Sequence, residues 1–132
     1  MSENDFYTLF NRLKTLLTLY APFLNVINDE PGKYYLETGY SEKWKKLLFF
    51  GSAIVQKNYV SFYLMPVYMF PDLLEGISPA LKKRMQGKSC FNFKQEDEVL
   101  LTELEALTRQ SFARFQQEGL VKAAVQLKNP QA

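Results

Sequence analysis

The segment LLFFGSAIVQKNYVSFYLMPVY, residues 47–68, decides the fold of this chain. Its two halves, residues 47–56 and 59–68, are rich in Val, Ile, Phe and Tyr, which favour β-strands. The first half is apolar on both faces, as expected of a central strand that is covered on both sides. Lys57 and Asn58 stand between the halves and suit a two-residue turn, since Asn tolerates a positive φ. We therefore predict an antiparallel hairpin.

Two further strands are predicted outside this hairpin. Residues 34–38 form a short aromatic segment that ends at a glycine. Residues 89–94 alternate in character, with Phe91 and Phe93 on one face and Cys90 on the other. Together with the hairpin they make a small antiparallel sheet of about four strands.

The segments between the strands are predicted to be turns and short helices. Residues 25–33 combine Asn, Asp, Pro and Gly, which is typical of a turn. Residues 72–76 and 79–86 are predicted to be short helices, because a proline stands at or just before the first residue of each and proline suits that position.

Amphipathic helices are predicted at both ends of the chain. Residues 3–20 and 97–118 each carry apolar side chains at steps of three and four. Ser2 and Asp5 form a capping signal for the first helix, and Gly119 stands where the second would end. Helices beside an antiparallel sheet usually pack on one of its faces. The predicted fold class is therefore α+β, with two layers.

The length and composition fit one folded domain. A chain of 132 residues is within the usual size of a domain. With 47% hydrophobic and 15% aromatic residues, the composition is that of a globular protein and not of a disordered one. We predict a single domain over residues 1–125 and a flexible tail over residues 126–132.

The chain contains no histidine and a single cysteine, Cys90. Ser-His-Asp and Cys-His catalysis and histidine-ligated zinc or iron are therefore excluded. One cysteine forms neither an internal disulfide nor a multi-cysteine metal site. We predict that Cys90 is a small buried residue; the alternative is a thiol activated by Lys88 or by a helix terminus.

Targeting and charge point to a cytoplasmic protein without a membrane partner. The first residues are acidic where a secretory signal carries Lys or Arg. The longest apolar run, residues 47–55, is far shorter than the roughly 20 residues that a membrane helix needs. The net charge of +2 is too small to imply a nucleic-acid or membrane partner by its field alone.

A basic cluster is the candidate anion-binding site. It consists of Lys82, Lys83, Arg84 and Lys88. The neighbouring predicted β-strand carries Phe91 and Phe93. Cations mixed with aromatic rings are typical of proteins that bind single-stranded nucleic acids. The alternative is that the cations are solvated and the phenylalanines face the core. We rank nucleic-acid binding below that alternative.

An acidic group is the candidate metal site. It consists of Glu96, Asp97 and Glu98. Carboxylates are suitable ligands for iron(II), manganese or magnesium. Acidic residues in a first helical turn also stabilise the helix through its dipole, by roughly 0.3–1 kcal/mol each, and we favour that role.

Tyrosines along the predicted strands are the candidate ligand or partner surface. They are Tyr34, Tyr35, Tyr59 and Tyr63. Tyrosine rings on an uncovered sheet face supply contact area at low entropic cost. The same face is suited to pairing with a second copy in a homodimer, and the alternative is ordinary packing.

Two segments carry a resemblance to a known family: NYVSFY, residues 58–63, and GKSCFNF, residues 87–93. A hairpin strand, a proline-bearing loop, a short basic helix, a Gly-Lys step into a short strand and a closing helix follow one another there. This layout, over about residues 34–118, resembles the YdhG-like domain family of small bacterial proteins. Some of its members are described as frataxin-like iron chaperones.

The resemblance implies an α+β fold with a small sheet flanked by helices, and iron delivery as an activity. Frataxin-like iron binding uses an acidic ridge near the first helix. This chain offers Glu3 and Asp5 there, against Arg12 and Lys14. No iron ligands are therefore carried over from the family.

We predict a non-enzymatic binding or interaction domain inside the cell, with iron handling as its specific version by resemblance. The first alternative is a nucleic-acid-binding module that uses the cluster over residues 82–88. The second is an enzyme without histidine that uses Asp, Glu or Tyr for proton transfer.

Overall fold

The computed structural model describes residues 3–121 and, from residue 5 onward, their side chains. Within residues 3–121 there are five strands: β1 (Asn25–Glu30), β2 (Lys33–Ser41), β3 (Lys46–Val55), β4 (Val60–Leu64) and β5 (Cys90–Phe93). The helices are α1 (Glu3–Thr18), α2 (Met65–Met69), α3 (Pro79–Lys82) and α4 (Glu98–Gln117), with short 3₁₀ turns at Ala21–Phe23 and Pro71–Leu74. Ser2, the domain end at residue 125 and the tail over residues 126–132 lie outside the described residues.

The five strands form one antiparallel sheet in which each strand pairs with the next along the chain. The hairpin predicted from residues 47–68 is confirmed, since Val55 pairs with Val60. The amide of Gln56 donates to the carbonyl of Tyr59 at 2.8 Å, which closes the turn around Lys57 and Asn58. Among the described non-glycine residues only Lys45 has a positive φ, so the turn forms without that conformation at Asn58.

The second half of the hairpin is shorter than predicted. β4 ends at Leu64, and residues 65–69 form α2 instead of continuing the strand to residue 68. Pro66 explains the change, because it has no amide to donate to a sheet and suits the first turn of a helix. The prediction of strand for residues 65–68 is therefore wrong.

The sheet has one strand more than predicted. Residues 25–30 form β1, and the turn is confined to Pro31 and Gly32, whose φ of 85° is one that glycine adopts freely. β1 lies at the edge of the sheet and nearly all of its residues are exposed. It therefore lacks the apolar alternation that marks a strand in a sequence.

Both long helices pack on one face of the sheet, here called the inner face, which confirms the α+β fold with terminal helices. Tyr20, just after α1, stacks on Phe112 of α4 with ring centroids 4.6 Å apart. The ring centroid of Phe50, in β3, lies 5.8 Å from that of Phe112 and 5.9 Å from that of Phe115. The inner face contributes a row of buried side chains to this core: Tyr34, Leu36, Phe50, Ala53, Val60, Phe62, Leu64, Phe91 and Phe93.

The end of α4 follows the predicted pattern. Gly119 has a φ of 76°, and its amide donates to the carbonyl of Gln116 at 3.0 Å. The amide of Leu120 donates to the carbonyl of Phe115 at 2.8 Å. This pair of bonds is a Schellman motif, which a glycine in the left-handed conformation allows.

Between residues 3 and 121 there is no helix long and apolar enough to cross a membrane.

Candidate binding surface

The chain after α3 lies along the edge of β5 that does not pair with β4. Residues 79–86 were predicted to be one helix, but α3 ends at Lys82 and residues 84–86 run beside β5. The amide of Asn92 donates to the carbonyl of Arg84 at 2.8 Å, and the amide of Gln86 donates to the carbonyl of Cys90 at 2.9 Å. These bonds hold Arg84 at the end of the sheet where β5 leads into α4.

Two grooves meet at this corner, and three cations line both of them: Lys83, Arg84 and Lys94. The larger groove, of about 850 Å³, lies between α3, the end of β5 and the start of α4. The smaller groove, of about 310 Å³, is also lined by Tyr59, Gln86 and Asn92. We call the two together the basic groove.

Among the described residues, no salt bridge offsets the charge of the three cations of the basic groove. The ion pairs between described residues use Arg12, Lys14, Lys43 and Arg114, and none uses Lys83, Arg84 or Lys94. One carboxylate, that of Asp97, lines the larger groove, and it accepts a hydrogen bond from the amide of Leu100 at 3.2 Å. The groove therefore has an excess of positive charge.

The basic cluster predicted from the sequence is only partly brought together. Lys83 and Arg84 line the groove, whereas Lys82 and Lys88 are exposed elsewhere on the surface. Lys94 completes the site and was missed. It follows Asn92 by two residues, so strand alternation places both on one face, but only the fold brings that face to Arg84.

The phenylalanines predicted to accompany the cations face the wrong way. Phe91 and Phe93 both belong to the core on the inner face, and although Phe93 lines the larger groove, only 1% of its surface is exposed. The alternative in which the phenylalanines face the core is therefore correct for these rings. The bases of a single-stranded nucleic acid cannot stack on them. The ring that lines the smaller groove is that of Tyr59, in the turn before β4.

The opposite side of the sheet, here called the outer face, holds the alternate residues of each strand. They include Tyr35, Glu37, Phe49, Ser52, Ile54, Ser61, Tyr63, Cys90 and Asn92. Strand register places Tyr35, Ser52, Tyr63 and Cys90 in one row across four strands. Of the candidate tyrosines, Tyr35 and Tyr63 therefore share this face.

Tyr34 does not belong to the surface predicted for it. It is 3% exposed and lies in the core on the inner face. The ammonium of Lys14 sits 5.1 Å from the centre of its ring. Neighbouring strand residues point to opposite faces, so Tyr34 and Tyr35 cannot both line one surface.

A small hydrogen-bonded cluster joins the outer face to the basic groove. The Asn92 Oδ1 atom accepts from Ser61 Oγ at 2.8 Å and from Cys90 Sγ at 3.3 Å. Its Nδ2 donates to Gln86 Oε1 at 2.8 Å. The side chain of Asn92 is thus fixed in orientation at the boundary of the two regions.

Cys90 lies in this cluster and is buried, as predicted. Burial raises the pKa of its thiol, while hydrogen bonds with Ser61 and Tyr63 act in the opposite direction. A raised pKa keeps the thiol protonated at neutral pH and lowers its reactivity. The activated-thiol alternative therefore gains no support from its surroundings.

The candidate metal carboxylates have partners within the protein. The guanidinium of Arg12 bonds Glu96 at 2.6 Å and Glu98 at 2.6 and 2.8 Å. Asp97 caps α4 through the amide of Leu100, which is the helix-stabilising role that we favoured. Over residues 5–121 no group of three or more His, Cys, Asp or Glu side chains could hold a metal ion.

Arg12 controls the titration of Glu98. Its hydrogen bond to the carboxylate lowers the pKa of Glu98 below the ordinary value. A depressed pKa means that this pairing stabilises the fold above the unfolded pKa and ceases to do so as pH falls through the folded pKa. We expect Arg12→Met to raise the pKa of Glu98, measured by carbon NMR titration of the side-chain carboxyl.

Asp72 is the control in that titration. Its pKa is lowered by a hydrogen bond from Arg114, which is independent of Arg12. Arg12→Met should therefore leave the Asp72 midpoint unchanged. A Glu98 midpoint that does not move in the variant would contradict the pairing.

Comparison of the chain with protein-family models, with curated proteins and with solved structures gives no match. The resemblance to the YdhG-like family, and the iron activity that it implies, stay predictions.

Proposed function

We propose that this chain is a non-catalytic, cytoplasmic binding domain that holds a phosphate-bearing polyanion in its basic groove. The observation that supports this most is the convergence of Lys83, Arg84 and Lys94 on two adjoining grooves. Arginine offers a planar fork of donors for phosphate oxygens, and lysine adds a mobile point charge. Because both grooves share the same cations, a ligand with several linked phosphates can use them together.

The size of the groove agrees with a ligand larger than one phosphate. Ligand sites commonly occupy about 300–1,000 Å³, and the two grooves measure about 310 and 850 Å³. All three cations are exposed, so they attract an anion without the cost of a buried, unpaired charge. Exposure also means that the attraction depends on salt.

The other functions have less support from the described side chains. Glu96 and Glu98 are engaged by Arg12, which competes with a metal for their oxygens. A histidine-free enzyme needs free carboxylates that converge on a substrate. In the groove between Pro71–Leu74 and α4, Asp72 pairs with Arg114 and Glu103 accepts from Ser78 at 2.6 and 2.7 Å, which leaves Glu75 as the one lining carboxylate without such a bond among the described residues.

The double variant Lys83→Ala/Arg84→Ala tests the proposal. We expect the wild-type protein to bind inorganic polyphosphate and a fluorescein-labelled oligothymidylate, with affinity that falls steeply as salt rises. The logarithm of the binding constant falls linearly with the logarithm of the salt concentration, and for single-stranded nucleic acid each lost phosphate contact makes this slope shallower by about 0.7. The variant should therefore bind at least about tenfold more weakly at low salt, with a slope reduced by roughly 1.4. Fluorescence anisotropy measures the oligonucleotide directly.

The matched control is Lys46→Ala/Arg109→Ala. It removes one lysine and one arginine that are also exposed and that lie outside the basic groove. Both double variants have the same net charge, so a general charge effect would weaken binding equally. Equal weakening, or no binding of either polyanion by the wild type at low salt, would refute the proposal.

A further inference from the structure

Two tyrosines, Tyr59 just before β4 and Tyr63 within it, lie on the side of the sheet that carries Asn92 of the basic groove. Tyr59 lines the smaller part of the groove together with Asn92 and Lys94. Tyr63 follows four residues later, and strand alternation places it on the same side. Each of the two rings is half-buried. A surface that combines cations with accessible rings differs from one that only attracts phosphate.

We infer that the polyanion is a single-stranded nucleic acid, with its phosphates on Lys83, Arg84 and Lys94 and its bases on Tyr59 and Tyr63. This inference rests on the proposed function and narrows its ligand class. Proteins that bind single strands combine a positive groove with rings on which unpaired bases stack. Paired bases of a duplex are already stacked on one another, and inorganic polyphosphate has none.

Negative charge limits where a single-stranded nucleic acid can lie on the outer face. Glu37 of β2 pairs in register with Phe49 of β3, beside Tyr35. Its negative charge raises the pKa of Tyr35, in addition to the larger effect of burial. A phosphate chain is repelled from this half of the face and attracted to the β4–β5 half. The footprint is therefore only a few nucleotides long.

Asn92 gives the site a fixed polar group between rings and cations. Hydrogen bonds to Ser61, Cys90 and Gln86 hold its amide in one orientation. A pre-organised side chain loses little entropy when a ligand arrives. Tyr63 stands next to this cluster, since it pairs with Cys90 in the strand register.

The variants Tyr59→Leu and Tyr63→Leu test the stacking role. Stacking of one base on a ring is worth about 1–3 kcal/mol, so each variant should bind a thymidine octamer at least about fivefold more weakly. Binding of inorganic polyphosphate should not change. Tyr63→Phe keeps the ring and loses the hydroxyl, and we expect it to bind the octamer like the wild type. Far-ultraviolet circular dichroism confirms that each variant is folded.

Tyr35→Leu is the matched control. Tyr35 is also a half-buried tyrosine and occupies the same cross-strand row as Tyr63, yet it lies on the half of the face that carries Glu37. Its loss should leave octamer binding within about twofold. An equal loss in Tyr35→Leu and Tyr63→Leu would contradict the footprint.

Other outcomes separate this inference from the proposed function. If polyphosphate and the octamer bind alike and the ring variants change neither, or if a duplex of the same length binds more tightly, the single-strand inference fails and the polyanion proposal stands. If no polyanion binds, both fail. Light scattering that shows a wild-type dimer which the ring variants dissociate would also overturn the inference, because a second copy would then cover these rings.

Discussion

Replacing Phe50 by alanine is expected to lower the free energy of unfolding by about 3–5 kcal/mol, the range for truncation of a buried phenylalanine. Phe50 is fully buried. The centre of its ring lies within 6 Å of the ring centres of Tyr20, Phe112 and Phe115, so it links the sheet to α4 and to the segment just after α1. Alanine leaves a cavity at the meeting point of the two layers. Urea unfolding measured by circular dichroism gives the change.

Phe49→Ala is the control for Phe50→Ala. Phe49 is the same residue type at the next position, but it is half-buried on the outer face and contacts Tyr35 with ring centroids 5.5 Å apart. We expect Phe49→Ala to lower the free energy of unfolding by less than half as much as Phe50→Ala. Equal losses would mean that the layers do not meet at Phe50, which would contradict the two-layer core.

Gly51→Ala is expected to destabilise the protein by about 1–3 kcal/mol, the usual cost of overpacking a core. A β-carbon at this position would lie 2.9 Å from the backbone oxygen of Tyr63 and 3.0 Å from Leu17 Cδ2. The first contact is with the backbone of β4, which pairs with β3 and cannot shift without disturbing the sheet. Thermal and urea unfolding measure the loss.

Gly76→Ala makes the opposite change at a position with space. A β-carbon there would meet no atom within 4 Å among the described residues. Alanine lowers the conformational entropy of the unfolded chain, which stabilises the folded protein by about 0.4–1 kcal/mol where the backbone conformation suits alanine. We therefore expect no loss of stability. If Gly51→Ala is as neutral as Gly76→Ala, then β4 and α1 do not approach Gly51 as closely as described.

The sequence was sufficient for the parts of the fold that depend on local periodicity. The two terminal helices bury a stripe at every third or fourth residue, and this pattern is visible without the fold. The hairpin of β3 and β4 was predictable because both strands are rich in residues that favour β-structure, and because β3 lies in the middle of the sheet, where a neighbouring strand pairs along each of its edges.

The errors in the fold occurred where tertiary position decides the structure. β1 is an exposed edge strand whose polar residues resemble a turn, and pairing with β2 alone makes it a strand. The predicted strand over residues 65–68 failed because Pro66 outweighs the strand preference of Val67 and Tyr68. A proline inside an otherwise apolar strand could have given that boundary.

The candidate site could be predicted only in part. Lys83 and Arg84 were visible as a run of charge, whereas Lys94 joins them through the pairing of residues 84–86 with β5. Tyr34 and Tyr35 were placed together, although alternation alone sends them to opposite faces. Phe91 and Phe93 were adjacent to the cations in sequence, but both are buried, and the half-buried rings are those of Tyr59, in the turn before β4, and Tyr63 of β4.

Backbone amide NMR with a thymidine octamer tests the central claim most directly. Binding in the basic groove should shift the amide signals of Lys83, Arg84 and Lys94 first, together with those of Tyr59 and Asn92, and the shifts should vanish at high salt. The signals of Lys46 and Arg109 should stay in place. Shifts spread over all exposed lysines, or confined to residues away from the groove, would contradict the account.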